Sequence, residues 1–251
     1  MRLKDKVAIV TGGSQGIGRA VAEAYGREGA QVVVVNSGNP ERGEAVANAI
    51  ESGGGRAGAL RADVTSKPEV DALANQVVDR FGTIDILFHA AGLMINKPVE
   101  DYTEEDWDRT IDVNLKGTFL IAQAVLPVMR AQHHGKIIFT ASIAGSRAFP
   151  NALPYCASKG GVVMMTKALA AEVAKEGVNV NAISPGNTAT PLNQHLQDDP
   201  DFVRLLEART PTGRAYISTG EMTGAAIFLA SEEANAVHGL DLVVDDGWAA
   251  I

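Results

Sequence analysis

Short apolar runs alternate with longer amphipathic stretches along almost the whole chain. Lys6–Thr11, Gln31–Val35, Ala57–Ala62, Ile84–Phe88, Lys136–Thr140, Val178–Ile183 and Leu240–Val244 are brief segments rich in valine, isoleucine, leucine and alanine. Runs this short and continuous predict strands buried on both faces, as in a parallel sheet. Between them, Arg19–Glu28, Glu41–Ser52, Pro68–Phe81 and Ser218–Ala230 carry helical spacing. Two further segments predict long helices. One opens on the capping Thr103 with Glu104, Glu105 and Asp106 in its first turn, and runs unbroken to about Arg130 with Asn114 facing inward. The other carries the stretch Ser142–Lys159 on through Gly161, Met165 and Ala171 to Glu176. Strand and helix alternate without repeat or linker. The pattern predicts one α/β domain over residues 1–251, a doubly wound parallel sheet of about seven strands flanked by helices.

The alternation breaks once. From 187 to 214 the chain passes Thr188, Thr190 and Pro191, an amphipathic patch over Leu192–Leu206, then Pro211 and Gly213. A long irregular excursion at the carboxyl edge of the sheet predicts a lid over a substrate.

Composition narrows the partners. The formal net charge of -8 argues against nucleic acid or an anionic membrane surface, since both recruit proteins through a positive field. No apolar run in the sequence reaches the length of a membrane span, and Met1–Lys6 leads into a strand without a secretory apolar region. The single cysteine, Cys156, excludes an intramolecular disulfide and fits a reducing cytoplasm. No cluster has metal-ligand spacing.

Candidate chemistry begins where the first strand ends. Gly12-Gly13-Ser14-Gln15-Gly16-Ile17-Gly18 separates that strand from a helix. Glycines let the backbone approach a pyrophosphate, and the N–H groups and dipole at a helix start favour negative charge. A P-loop lysine is missing, which points to a dinucleotide. The second strand ends at Asn36-Ser37-Gly38-Asn39, where the adenosine ribose would lie. No carboxylate stands there to bind the 2′-hydroxyl of NAD or repel the 2′-phosphate of NADP, and Ser37 offers a donor. NADP(H) is favoured modestly, with NAD(H) open, because the nearest cation is Arg42. Asp63, beside Val64, reads equally as an acceptor for adenine or as a helix cap. Ala90, Ala91 and Gly92 would let a cofactor lie against the backbone, and His89 reads as structural.

Tyr155 and Lys159 are spaced to share one helix face, where the ammonium would lower the phenol pKa toward that of a useful acid/base. That pair alone is weak. With Asn114, Ser142 thirteen residues before Tyr155, and the glycine turn, it is specific.

Taken together these residues resemble the short-chain dehydrogenase/reductase family, including its 3-oxoacyl-acyl-carrier-protein reductase-like and glucose dehydrogenase-like members. The likeness runs from Val7 to Gly247. Thr11–Gly18 matches TGxxxGxG, the set Asn114, Ser142, Tyr155 and Lys159 matches the catalytic tetrad, and Pro185-Gly186 with Thr188 and Thr190 matches a cofactor-binding turn. The resemblance implies a Rossmann-type fold and hydride exchange between a nicotinamide and a ketone or secondary alcohol. Tyr155 would be the general acid/base and Ser142 would hold the substrate oxygen. Lys159 would hold the nicotinamide ribose and depress the Tyr155 pKa, and Asn114 would hold a water linking Lys159 to solvent. A homotetramer built partly through the helices of Asn114 and Tyr155 is implied too. One departure is His89-Ala90-Ala91-Gly92 where the family has Asn-Asn-Ala-Gly. The rival readings are a dinucleotide-binding sensor without turnover and a same-fold epimerase or dehydratase. The substrate itself is left open.

Overall fold

A computed structural model describes residues 1–250. All seven expected strands form one parallel sheet: β1 (Val7–Thr11), β2 (Gln31–Asn36), β3 (Arg56–Arg61), β4 (Ile86–His89), β5 (Gly135–Thr140), β6 (Val178–Pro185) and β7 (Asp241–Val244). Their order across the sheet is β3-β2-β1-β4-β5-β6-β7. The order reverses between β1 and β4, which pair with Val10 beside Phe88 and Thr11 beside His89. Such a switch point opens a crevice at the strand carboxyl ends.

Alternate residues of each strand feed two cores. On one face Ala8, Val10, Val32, Val34 and Phe88 pack with α1 (Gly16–Arg27), α2 (Pro40–Ser52) and α9 (Thr223–Ala230). On the other, Ile9, Val33, Leu87, Ile137 and Phe139 pack with α3 (Lys67–Phe81), α5 (Gly117–Ala131) and α6 (Leu153–Val173). Burial on both sides explains why the strands read as unbroken apolar runs.

Two expectations are corrected. The helix expected to run from Thr103 to Arg130 is interrupted: α4 (Glu104–Ile111) passes through a π turn, Asp112–Lys116, before α5 resumes. Asn114 sits in this turn, its side chain bonded to Ser158 in α6 and its carbonyl accepting from the Thr118 hydroxyl at 2.6 Å. A single π turn of this kind commonly marks a functional site. Taken as one element, the 28 residues Glu104–Ala131 are long and apolar enough to cross a membrane, although Asp112 and Lys116 interrupt any apolar run within them. Here the element is a core helix, with Ile121, Val125 and Met129 fully buried. Finally, the stretch 187–214 is only partly irregular. It carries α7 (Gln194–Gln197) and α8 (Pro200–Arg209). Asp199 caps α8 by accepting from the backbone N–H groups of Asp201 and Phe202, and Pro200 opens the helix. The apolar tail expected to end at Ile251 reaches a residue outside those described.

Candidate active site

A cleft of about 1780 Å³ opens along the carboxyl ends of the strands, more than the few hundred to about 1000 Å³ usual for one small ligand. Its wall near β1 is the glycine turn. A Cβ on Gly18 would lie 2.3 Å from the Gly12 carbonyl oxygen, and one on Gly12, at φ +64°, would lie 2.7 Å from the Ala91 nitrogen. The turn is therefore pressed onto the start of α1 on one side and onto the end of β4 on the other, with no room for a side chain at Gly12 or Gly18. This is a cradle that a dinucleotide fits. Gly12, Ser14, Gln15, Gly16, Ile17 and Gly18 all line the cleft, as do Ala90, Ala91 and Gly92.

At the ribose end, Asn36, Ser37, Gly38, Asn39 and Arg42 line the same cleft. Asn39 is already used: its Oδ1 caps α2 by accepting from the Glu41 N–H at 2.9 Å, and its Nδ2 donates to Glu41. Arg42 sits in the first turn of α2 and, among the described residues, makes no ion pair, unlike Arg130 and Arg214. Asp63 and Val64 line the adjoining wall. Asp63 caps no helix. Its Oδ1 accepts from the Thr65 N–H and hydroxyl, and Ser66 caps α3 instead.

The other half of the cleft holds Ser142, Tyr155 and Lys159. Ser142 follows β5 and accepts from the Ala144 N–H at 3.1 Å, starting a short 3-10 turn. Pro154 at the start of α6 leads into Tyr155, with Lys159 one turn on. The Lys159 ammonium donates to the Thr140 carbonyl at 2.7 Å and lies 5.7 Å from the Tyr155 ring centroid. Only 5% of Lys159 is exposed, and burial drops its pKa to about 8. The half-buried Tyr155 phenol is pushed up by desolvation, opposed by its interaction with Ser142. The phenol is therefore raised, not lowered by Lys159 as expected.

Asn114 does not line the cleft. It is buried one layer behind, where its Oδ1 accepts from the Leu93 N–H at 2.8 Å and its Nδ2 donates to the Leu93 carbonyl at 2.9 Å and the Ser158 hydroxyl at 3.1 Å. Both amide protons are spent, and Asn114 fixes the cleft floor at Gly92-Leu93. The turn after β6 brings Pro185, Gly186, Thr188 and Thr190 to the rim. The Thr188 hydroxyl donates to the Gly186 carbonyl, and the Thr190 hydroxyl is held by Asn193.

Similarity to known proteins identifies the family. A family model described as "Enoyl-(Acyl carrier protein) reductase" matches residues 12–249. The chain belongs to the short-chain dehydrogenase/reductase family. A cyclopentanol dehydrogenase of Comamonas testosteroni is 39% identical, with 99% of each chain covered. A D-threitol dehydrogenase of Mycolicibacterium smegmatis is 42% identical, over 98% of this chain and 94% of the relative. A gluconate 5-dehydrogenase from Burkholderia cenocepacia, solved in complex with NADP and tartrate, superposes with a TM-score of 0.96 at 38% identity, covering 100% of this chain and 97% of its own.

Within this short-chain dehydrogenase/reductase, the unusual His89 is buried with 2% exposure. Its Nδ1 lies 2.7 Å from the Thr11 hydroxyl, its ring meets Phe139 edge-on, and burial with the nearby Lys159 charge drops its pKa to about 3. It is a neutral brace between β1 and β4, with Nε2 unpartnered. Sequence reasoning missed Tyr216 and Trp248, which line the substrate half of the cleft. Trp248 follows Asp245-Asp246-Gly247 at the end of β7, which the pairing of β7 beside β6 brings to the cleft.

Proposed function

We propose that the protein is an NADP(H)-preferring dehydrogenase/ketoreductase that interconverts a small-molecule ketone and the corresponding secondary alcohol. The observation that carries this reading is the convergence of Ser142, Tyr155 and Lys159 on one half of a cleft whose other half is a glycine-rich cradle with no room for a side chain at Gly12 or Gly18. Gly12–Gly18 would take the pyrophosphate, Ser37 and Arg42 the 2′-phosphate, Asp63 and Val64 the adenine, and Ala90–Gly92 the backbone side of the dinucleotide. Pro185, Gly186, Thr188 and Thr190 would enclose the nicotinamide end. When bound, the nicotinamide supplies or accepts the hydride.

The chain's own residues manage the proton. Ser142 donates a hydrogen bond to the substrate oxygen, which favours the charge that develops there. Tyr155 gives that oxygen its proton during reduction and takes it back during oxidation. Lys159, held by Thr140, supplies the positive charge that stabilises the phenolate. Asn114 acts at one remove by holding the Leu93 backbone. NADP-bound neighbours such as the Burkholderia gluconate 5-dehydrogenase support the cofactor assignment. Alcohols named for the relatives, cyclopentanol and D-threitol, support a secondary carbinol as the reacting group.

A homotetramer fits the outer faces of α5 and α6, where Phe119, Met164 and Leu153 are 49%, 63% and 52% exposed. A monomeric mass in light scattering would refute it. The unpaired Cys156 fits a reducing, cytoplasmic setting. The decisive experiment follows NADPH absorbance with a panel of cyclic and open-chain ketones, in the wild type and in Tyr155→Phe. Turnover should fall by roughly 100- to 10,000-fold in the variant while NADPH still binds. A Tyr155→Phe protein with unimpaired turnover sinks the mechanism, and NADPH binding without turnover on any ketone favours a sensor.

A further inference from the structure

The substrate half of the cleft has an uneven charge. Every carboxylate that lines the cleft, namely Asp63, Glu104, Glu105, Asp108 and Asp112, lies on the cofactor side or on α4. The lining from Thr140 to Trp248 contains Lys159, His195 and Arg209 but no Asp or Glu. In a protein of net charge -8, this stretch, with His195 and Arg209 beside the catalytic Lys159 and no carboxylate, is suited to an anion.

Arg209 is the cation built for that task. It is the last residue of α8, and its guanidinium carbon lies 5.9 Å from the Trp248 ring centroid. Trp248 is itself held: it stacks on Phe149 at 5.1 Å and 17°. The chain around it is pinned by Asp245, whose carboxylate accepts from the Gly247 and Ala249 N–H groups, and by the Arg147 guanidinium, which donates to the Ala249 carbonyl. An aromatic face orients a guanidinium without consuming its N–H donors. Among the described residues Arg209 makes no ion pair or side-chain hydrogen bond, whereas Arg130, Arg204 and Arg214 all do. A planar, unspent donor fork placed in a cleft is suited to a carboxylate. The Phe149 carbonyl lies 4.0 Å from the thiol of Cys156, the neighbour of Tyr155, so the Phe149–Trp248–Arg209 stack adjoins the reacting end.

We propose that Arg209, oriented by Trp248, is a specificity-determining residue that binds a carboxylate on the substrate, so that the preferred substrates are hydroxy acids and their oxo acids. This rests on the dehydrogenase reading above for its chemistry, though the anion site stands on its own residues.

The test uses Trp248 as reporter. Trp107 and Trp248 are the two tryptophans, so Trp107→Phe leaves a single indole in the site. The full chain with NADP+ is titrated with D-gluconate and, separately, with the neutral polyol D-glucitol, and emission is followed. A saturable change with gluconate is expected, at least about tenfold tighter than any change with glucitol. Arg209→Gln should weaken it at least about tenfold, and Arg209→Lys should restore part of it, since charge survives but the fork does not. NADPH titration of each variant shows that the fold is intact. No saturable change with gluconate, equal affinity for glucitol, or gluconate binding unchanged in Arg209→Gln would each overturn the proposal. Oxidation of cyclopentanol with no response to gluconate overturns the anion site alone. A gluconate response without hydride transfer to any alcohol keeps the site and overturns the dehydrogenase reading.

Discussion

Asn114 clamps Leu93 from both sides of its peptide, accepting from the N–H at 2.8 Å and donating to the carbonyl at 2.9 Å. The same amide donates to Ser158, whose hydroxyl in turn donates to the Tyr155 carbonyl at 2.7 Å. One side chain thus ties the floor of the cleft to the helix carrying the phenol.

Asn114→Ala removes three hydrogen bonds and leaves the Leu93 peptide unpaired, which costs roughly 2–4 kcal/mol. At this chain length that is a fall in Tm of about 5–15 °C, measurable by calorimetry, with weaker NADPH binding because Gly92-Leu93 loses its support. An unchanged Tm would show that the clamp carries no weight.

How much of this was legible depends on the range of the interaction. Strands such as Gln31–Asn36 announce themselves because burial on both faces demands consecutive apolar residues. The glycine turn is legible because Gly12 and Gly18 answer a backbone contact that only glycine permits. The role of Asn114 was not, since its partners, Leu93 and Ser158, come from distant parts of the chain. The helix α8 was read only as an amphipathic patch, because its capping depends on Asp199 and Pro200 and not on periodicity. Trp248 was missed because one aromatic after a glycine turn carries no pattern. Only the parallel pairing of β7 beside β6 brings it to the cleft.

Lys159 gives stability a pH dependence with a definite sign. Burial lowers its folded pKa from 10.5 to about 8. Between those values the unfolded chain binds more protons, so stability rises with pH across the window and the full cost is present below about pH 8. Lys159→Met abolishes this dependence. Its stability relative to wild type, measured by urea denaturation at pH 7 and above pH 10, should decline by about 3 kcal/mol between the two. Parallel curves for the two proteins would show that the ammonium is not desolvated.

The cradle makes a steric prediction with an internal control. In Gly18→Ala the new methyl meets the Gly12 carbonyl at 2.3 Å, a backbone atom that cannot swing aside. The variant should lose about 1–3 kcal/mol and most of its affinity for NADPH. Gly224→Ala, in the exposed first turn of α9, meets nothing within 4 Å. It should gain up to about 1 kcal/mol from helix propensity. Similar denaturation midpoints for the two variants would refute the packing argument.

Cofactor choice turns on two exposed residues at the ribose end. Ser37 makes no side-chain hydrogen bond among the described residues, and Arg42 no ion pair, yet both line the cleft. A 2′-phosphate would draw on the guanidinium, whereas a 2′-hydroxyl would not. Arg42→Ala should therefore raise the Kd for NADPH about tenfold, equivalent to about 1.4 kcal/mol, and leave NADH within about twofold. Ser37→Asp should go further, because a carboxylate in this turn repels the phosphate while accepting from a free ribose hydroxyl, so the ratio of NADH to NADPH affinity should rise more than in Arg42→Ala. Fluorescence titration of each protein with both cofactors measures this directly. Equal losses for NADPH and NADH in both variants would mean that the turn shapes the adenosine site without reading the phosphate, and the NADP(H) preference would then have to come from elsewhere in the cleft.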